Sequence, residues 1–273
     1  MMYYYQNFSH GKIWEMISKM LMENYETPEH DNSAILLGLH NKFSIKEIIA
    51  GTPELKTKDK IIVYQTEPLV ESHWFSAQKI INNIREADEV WEYDLQNIEV
   101  LKQNGIDAKY CPPKYTQTLK NINNNPEPEI DLLFYGSYTK NRTKMIDDLL
   151  NHYSYPSDKE TWNTYANINF VWLFGIHHPQ LDNYIANSKI ILNMNPYDGE
   201  TRQQQVRIFH ALINEKCVIS EKSPINYFGD CITEFTGFQD LGDKVIDLLH
   251  YRTWKNYPFK SKDYQSYING KTI

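Results

Sequence analysis

Cysteine is scarce: Cys111, Cys217 and Cys231 stand far apart, with no CxxC pair among them. Such an odd, scattered set argues against a disulfide framework or a zinc knuckle and reads as reduced, mostly buried thiols in a cytosolic protein. No stretch approaches the roughly 18 consecutive apolar residues that a membrane span needs. The first residues, Met1 to Tyr5, lack the basic and apolar segments of a signal peptide. Neither an internal repeat nor a heptad run is present. Basic residues are in deficit, 28 Lys+Arg against 35 Asp+Glu, for a formal net charge of −7. Non-specific nucleic-acid binding depends on neutralising phosphates, so this balance weighs against it while leaving room for a local basic cleft.

What the chain does have is apolar and aromatic content. At 273 residues, 41% hydrophobic and 14% aromatic, it is too apolar for a disordered chain and long enough for one large domain or two small ones. The clearest break is Asn121–Glu129 (NINNNPEPE), a polar stretch with two prolines. Such clusters mark domain boundaries. The expected organisation is a domain over 1–120, a linker over 121–129, a domain over 130–253 and a tail over 254–273. That tail either crosses back onto the first domain or is simply polar.

Both halves alternate strand-like and helix-like segments. In the first, strands are expected at Met2–Gln6, Ala34–Leu39, Lys60–Thr66 and Glu89–Tyr93. Helices fall after Gly11 (Ile13, Trp14, Ile17, Met20, Leu21), over Trp74–Arg85, and from Asp94 as cap to Gln103, closed by Gly105. The second half has strands at Ile130–Tyr135, Asn169–Phe174, Lys189–Met194 and Cys217–Ser220. Its helices are expected over Thr143–Asn151, Gln180–Asn187, Arg202–Ile213 and Asp240–Tyr251. This alternation predicts an α/β fold of two Rossmann-like domains with parallel sheets. Ligands bind such sheets at the carboxyl ends of their strands, so the residues just after each strand matter most.

Two constellations stand there. In Phe134–Arg142 (FYGSYTKNR) a strand ends in Gly136-Ser137, and Lys140 and Arg142 follow as a helix begins. Glycine lets a ligand approach the backbone, a helix N-terminus offers free N–H groups, and the cations can bind phosphate oxygens. The alternative is an ordinary turn with solvated cations. In Lys189–Glu221 a strand delivers Asn193 and Asn195 to its end, and a helix follows with Arg202 and Arg207. Arg207 lies among apolar neighbours and needs a partner, either a bound diphosphate or an internal Glu200 or Glu221.

Together these segments resemble the donor-binding domain of GT-B glycosyltransferases. The strand–Gly-Ser–basic helix, Ser188-Lys189-Ile190 before Leu192-Asn193, Arg207–Leu212 (RIFHAL) and Cys217–Glu221 (CVISE) carry the likeness, which is nearest to the CgeB-like bacterial and phage group. Lys60–Leu69 (KIIVYQTEPL), Ala87–Tyr93 and Asn97–Pro113 are similar to its acceptor side. The likeness implies two parallel sheets facing an interdomain cleft, and a nucleotide-sugar whose diphosphate needs no divalent metal. By position, Gly136, Ser137, Lys140, Arg142 and Arg207 would contact the diphosphate, with Asn193, Asn195 and His178 near the nucleotide or sugar. One departure stands out. The ribose-binding Glu of many GT-B enzymes is His210 here, and Arg202 stands where its paired Glu would fall, leaving Glu200 as a substitute for the ribose contact.

Transfer needs a group that takes the acceptor hydroxyl proton. Glu67 follows the strongest strand and precedes Pro68, which holds it extended; the bland reading is a surface carboxylate. His10, in the loop after the first strand, is a second candidate, since that loop borders the cleft in the resembled fold. Asp198-Gly199-Glu200 has the spacing of a metal-binding acidic pair, although Asp and Gly are common in turns. The adjacent His177-His178 lacks the spacing that places two imidazoles on one helix face. The expected function is glycosyl transfer in the cytoplasm to a surface polysaccharide or lipopolysaccharide. Hydroxymethylated bases in phage DNA are the second acceptor class. A non-catalytic nucleotide-binding protein that kept the fold is the third reading.

Overall fold

The computed structural model describes residues 3–6, 11–26, 32–38, 44–71, 76–154, 168–176, 179–196, 202–256, 259 and 261–269. The chain divides into two compact units, Met1–Pro113 and Lys114–Ile273.

In the first unit five parallel strands, β1 (Tyr3–Gln6), β2 (Ser33–Leu37), β3 (Lys60–Gln65), β4 (Glu89–Glu92) and β5 (Ala108–Tyr110), lie side by side in chain order. Between them run α1 (Gly11–Tyr25), α2 (Ile45–Gly51), α3 (Ala77–Ile84) and α4 (Leu95–Gln103). All five residues of β2 are buried, the pattern of a sheet covered on both faces. Ala34, Leu36, Ile61 and Val63 point into one core with Ile45 and Ile48 of α2, Ile80, Ile81 and Ile84 of α3, and Leu101 of α4.

Local chemistry sets the helix ends. Asp94 caps α4, its Oδ1 accepting from the N–H groups of Gln96 (2.8 Å) and Asn97 (3.0 Å). Gly105 closes it at φ +73°, with the N–H of Ile106 returning to the Leu101 carbonyl at 2.9 Å. Helix α2, which the hydrophobic pattern did not reveal, opens with a reciprocal cap. The N–H of Ser44 donates to Glu47 Oε2 (2.8 Å), and the N–H of Glu47 donates to Ser44 Oγ (3.3 Å).

The second unit holds β6 (Ile130–Tyr135), β7 (Phe170–Leu173), β8 (Ser188–Asn193), β9 (Cys217–Glu221) and β10 (Thr233–Phe235), all parallel, in the order β10-β9-β8-β6-β7. Its helices are α5 (Lys140–Ser154), α6 (Gln180–Ala186), α7 (Gln205–Ile213), α8 (Gly237–His250) and α9 (Lys262–Ile268). Leu132, Phe134, Ile190, Leu192, Cys217, Ile219 and Phe235 of the strands pack with Ile146 and Leu149 of α5 and Leu241, Val245 and Leu248 of α8. Strand order reverses at β6, which has β7 on one side and β8 on the other. That reversal opens a crevice at the carboxyl ends of β6 and β8.

Two features differ from the sequence expectation. Helix α5 starts at Lys140, so both cations of the Gly-Ser segment are helical. Helix α7 starts at Gln205, three residues later than Arg202. Tail helix α9 is capped by Ser261 and packs on the second unit, where Tyr264 Oη donates to the Leu212 carbonyl at 3.1 Å. The polar run after residue 120 is also fixed to that unit: Asn214 Oδ1 accepts from the N–H groups of Asn121 (3.1 Å) and Ile122 (3.0 Å). Among the described residues no helix is long and apolar enough to cross a membrane.

Candidate anion site at the carboxyl ends of β6 and β8

Strand β6 ends at Tyr135 and hands the chain to Gly136-Ser137, while β8 ends at Asn193. The Gly136 turn is pinned to β7: its N–H donates to the Leu173 carbonyl (2.9 Å), and its carbonyl accepts from Trp172 Nε1 (3.0 Å). A Cβ at position 136 would stand 3.0 Å from Arg207 Nη2, 3.0 Å from Phe134 Cζ and 3.4 Å from Arg142 Nη1. Glycine is therefore the residue that lets two guanidinium groups lie against this backbone.

The two arginines have different partners. Arg142 is buried, and its Nε (3.2 Å) and Nη2 (2.9 Å) both donate to the Met194 carbonyl. Its Nη1 donates to Ser137 Oγ (3.0 Å) and to the Ser137 carbonyl (3.2 Å). Arg142 thus staples the turn after β6 to the turn after β8, and most of its five donors are spent on protein.

Arg207, on α7, donates from Nη1 to Asn193 Oδ1 at 2.6 Å. Asn193 is held in turn by donating from Nδ2 to Ser220 Oγ at 2.9 Å. The Arg207 guanidinium lies 5.0 Å from the Phe134 ring centroid and 5.4 Å from that of Tyr135. Its Nε is out of solvent with no hydrogen-bond partner among the described residues. Desolvation depresses its pKa below the usual guanidinium value. Glu221, one of the two internal partners expected from sequence, accepts the N–H of Asn195 at 2.8 Å.

Two further polar atoms are buried here without partners: Asn195 Oδ1 and Tyr135 Oη. Burial pushes the Tyr135 hydroxyl up to about 12, with Arg207 pulling the other way, so it stays a proton donor at neutral pH. Sequence reading did not single out Tyr135. Its signal was the last strand position before Gly-Ser. Ser137 and Lys140 are exposed at this end of the sheet, Lys140 as the first residue of α5. The strand order thus brings Gly136, Ser137, Arg142, Asn193, Asn195 and Arg207 to one crevice. His178 and Glu200 lie outside the described residues, as do His10, His177 and Asp198. His210 and Arg202 are both buried.

Glu67 belongs to the first unit, half-buried just after β3. Its carbonyl accepts from Gln65 Nε2 (2.7 Å) and Asn97 Nδ2 (2.9 Å), and its N–H donates to Gln65 Oε1 (3.3 Å). Asn97 also donates to Glu92 Oε2 (3.0 Å) and accepts the N–H of Leu69 (2.8 Å). Glu92 is fully buried, and desolvation lifts its carboxyl well above the usual range.

No protein-family model and no curated protein matches this sequence. Solved structures do, and GT-B glycosyltransferases are among them. TarM superposes with a TM-score of 0.54 at 14% identity over 93% of this chain, which spans 55% of TarM. An α-glucosyltransferase solved with UDP and a DNA 13-mer gives 0.53 at 9% identity, covering 95% of this chain and 80% of that one. A T4 phage β-glucosyltransferase variant with UDP-glucose gives 0.54 at 14% identity, covering 98% and 95%. At these identities the likeness establishes the fold: two Rossmann-like domains of the GT-B type.

Proposed function

We propose that the chain is a glycosyltransferase whose second unit holds the diphosphate of a nucleotide-sugar. The observation that carries this reading is Arg207: a desolvated guanidinium with one amide partner among the described residues, facing a glycine at the point where strand order reverses. An anion seated against Gly136 would supply a counter-charge, with Lys140 and the α5 N-terminus adding to the attraction. Two structural neighbours were solved with UDP or UDP-glucose, which agrees with such a donor. Stabilising the departing diphosphate is then the largest catalytic contribution assigned to named residues.

Glu67 is proposed as the base. As the acceptor oxygen bonds to the anomeric carbon, the bond from that carbon to the diphosphate breaks, and the acceptor hydroxyl proton passes to the Glu67 carboxylate. His10 is the second candidate for that proton, and His178 and Glu200 are proposed near the nucleoside. The diphosphate is proposed to be held without a divalent cation. We place the chain nearest the CgeB-like group on the Arg207–Leu212 helix, acting in the cytoplasm on a surface polysaccharide or lipopolysaccharide. Hydroxymethylated DNA is the second acceptor class, since one neighbour was solved with a DNA containing a HMU base and another is a T4 phage glucosyltransferase. Against it, the first unit carries 11 Lys+Arg and 17 Asp+Glu, a poor balance for a polyanion.

Thermal shift against UDP, GDP, CDP and dTDP, with and without EDTA, tests the reading. A ligand at about a hundred times its Kd stabilises a fold by roughly 2.7 kcal/mol. One nucleotide should stabilise the protein in EDTA and lose its effect in Arg207→Met. Stabilisation that requires metal would redirect the site to Asp198 and Glu200. No response to any nucleotide would overturn the donor site and leave only the fold.

A further inference from the structure

Beside the Gly136 turn lies an aromatic cluster that the donor site as described does not use. Tyr138 and Phe174 are each 59% exposed, an unusual degree for large rings that pack together. The Tyr138 ring lies 4.6 Å from that of Trp172, tilted by 32°, and 5.5 Å from that of Phe174, tilted by 62°. Trp172 is fixed by its Nε1 hydrogen bond to the Gly136 carbonyl. It also meets the buried Phe134 edge-on at 5.2 Å. Phe134 is the ring over which both the Arg142 and Arg207 guanidinium groups sit, each at 5.0 Å. An unbroken set of contacts therefore runs from the arginines through Phe134 and Trp172 to the exposed faces of Tyr138 and Phe174.

We infer that Tyr138 and Phe174, backed by Trp172, form a stacking platform for the base of the nucleoside diphosphate. The inference rests on the anion-site reading above and assigns to that site the residues that recognise the nucleoside. An aromatic cluster covered only by water leaves apolar ring faces hydrated beside an anion site. A nucleoside diphosphate joins a planar π-system to an anion, so one molecule can fill both features. Stacking is tolerant of base identity, because every base has a π-face. The platform would thus favour nucleoside over bare pyrophosphate while leaving the choice among bases to hydrogen-bonding groups elsewhere.

Isothermal titration of the full chain with UDP, GDP, CDP, dTDP and inorganic pyrophosphate separates the two readings. The expected result is that one nucleoside diphosphate binds more tightly than pyrophosphate. Tyr138→Ala and Phe174→Ala should each weaken that nucleotide by about 5- to 100-fold and leave pyrophosphate within about twofold, the range expected for loss of one stacked ring. Tyr138→Phe, which keeps the ring, should bind like the parent. Both side chains are largely exposed, so their truncation should leave the melting temperature near that of the parent. Nucleotide affinity unchanged in both alanine variants, or pyrophosphate weakened as much as nucleotide, would overturn the platform. So would a parent protein that binds pyrophosphate as tightly as every nucleotide. A parent that binds neither would instead overturn the anion site itself.

Discussion

Arg207 Nη2 lies 3.0 Å from the point where a Cβ on Gly136 would stand. Contact that close is tighter than most side chains show, so the guanidinium and the Phe134 ring must give by a few tenths of an ångström to admit a methyl group. Gly136→Ala is expected to cost about 1–3 kcal/mol of stability as overpacking. It should also cut nucleoside diphosphate affinity, because it fills the space an anion needs. Thermal melts and titration on the one variant check both effects.

Arg142 and Arg207 should respond in opposite ways. Arg142→Ala strips the Met194 and Ser137 carbonyls of their donors and unties the turns after β6 and β8. A loss of about 3 kcal/mol is expected in urea unfolding, in the range for breaking a buried charged network. Arg207→Met removes a desolvated cation with one amide partner among the described residues, and replacing such a charge by an apolar group of similar volume is often neutral or stabilising. Its melting temperature should hold or rise while the nucleotide response disappears. Equal destabilisation by both substitutions would refute this division of roles.

Lys216 gives a pH-dependent signature. It is buried, its Nζ donates to the carbonyls of Ala186 (3.1 Å) and Ser188 (2.9 Å), and desolvation pulls its pKa down to about 8. Above pH 8 the folded chain releases a proton that the unfolded chain keeps until its normal lysine range. The stability contributed by this group therefore rises with pH across that window and is lowest below it. A difference of one proton bound between the two states is worth about 1.4 kcal/mol for each pH unit crossed. Relative to Lys216→Met, the parent should therefore gain about 2–3 kcal/mol between neutral pH and pH 10. Paired urea titrations at both ends of the window measure the difference. Parallel curves would contradict it.

Asn97 is expected to matter to the stability of the first unit. Its amide serves the Glu67 carbonyl, Glu92 Oε2 and the Leu69 N–H together. Asn97→Ala takes one donor from the Glu67 carbonyl, which keeps Gln65, and removes the amide that Glu92 and the Leu69 N–H use, for an expected loss of about 2 kcal/mol. Hydrogen exchange should quicken at Leu69 before the β3 core opens. Under the proposed function, Glu67→Gln should instead keep the fold and lose transfer.

Helix α2 is capped by Ser44 and Glu47, a pattern readable in the sequence as Ser-x-x-Glu, yet a seven-residue helix leaves too little periodicity to stand out. Strand β10, three residues long, is hidden in the sequence for the same reason. Long strands such as Lys60–Gln65 and the Asp94–Gly105 helix are legible because their apolar spacing and caps are local. Glu67 can be placed after its strand, but nothing near it announces Asn97, thirty residues on, as the group that grips its carbonyl.

By itself the sequence determined the alternation of strand and helix, the caps at Asp94 and Gly105, and the placing of Gly136-Ser137 and Asn193 at strand ends. Those follow from backbone preferences and side-chain spacing over a few residues. Tertiary structure alone decided that β6 lies between β7 and β8, which makes neighbours of Gly136 and Asn193, and which arginine is spent. Arg142 and Arg207 are chemically identical. Among the described residues one meets two backbone turns and the other a single amide, because burial and partner geometry depend on chain segments far apart in sequence.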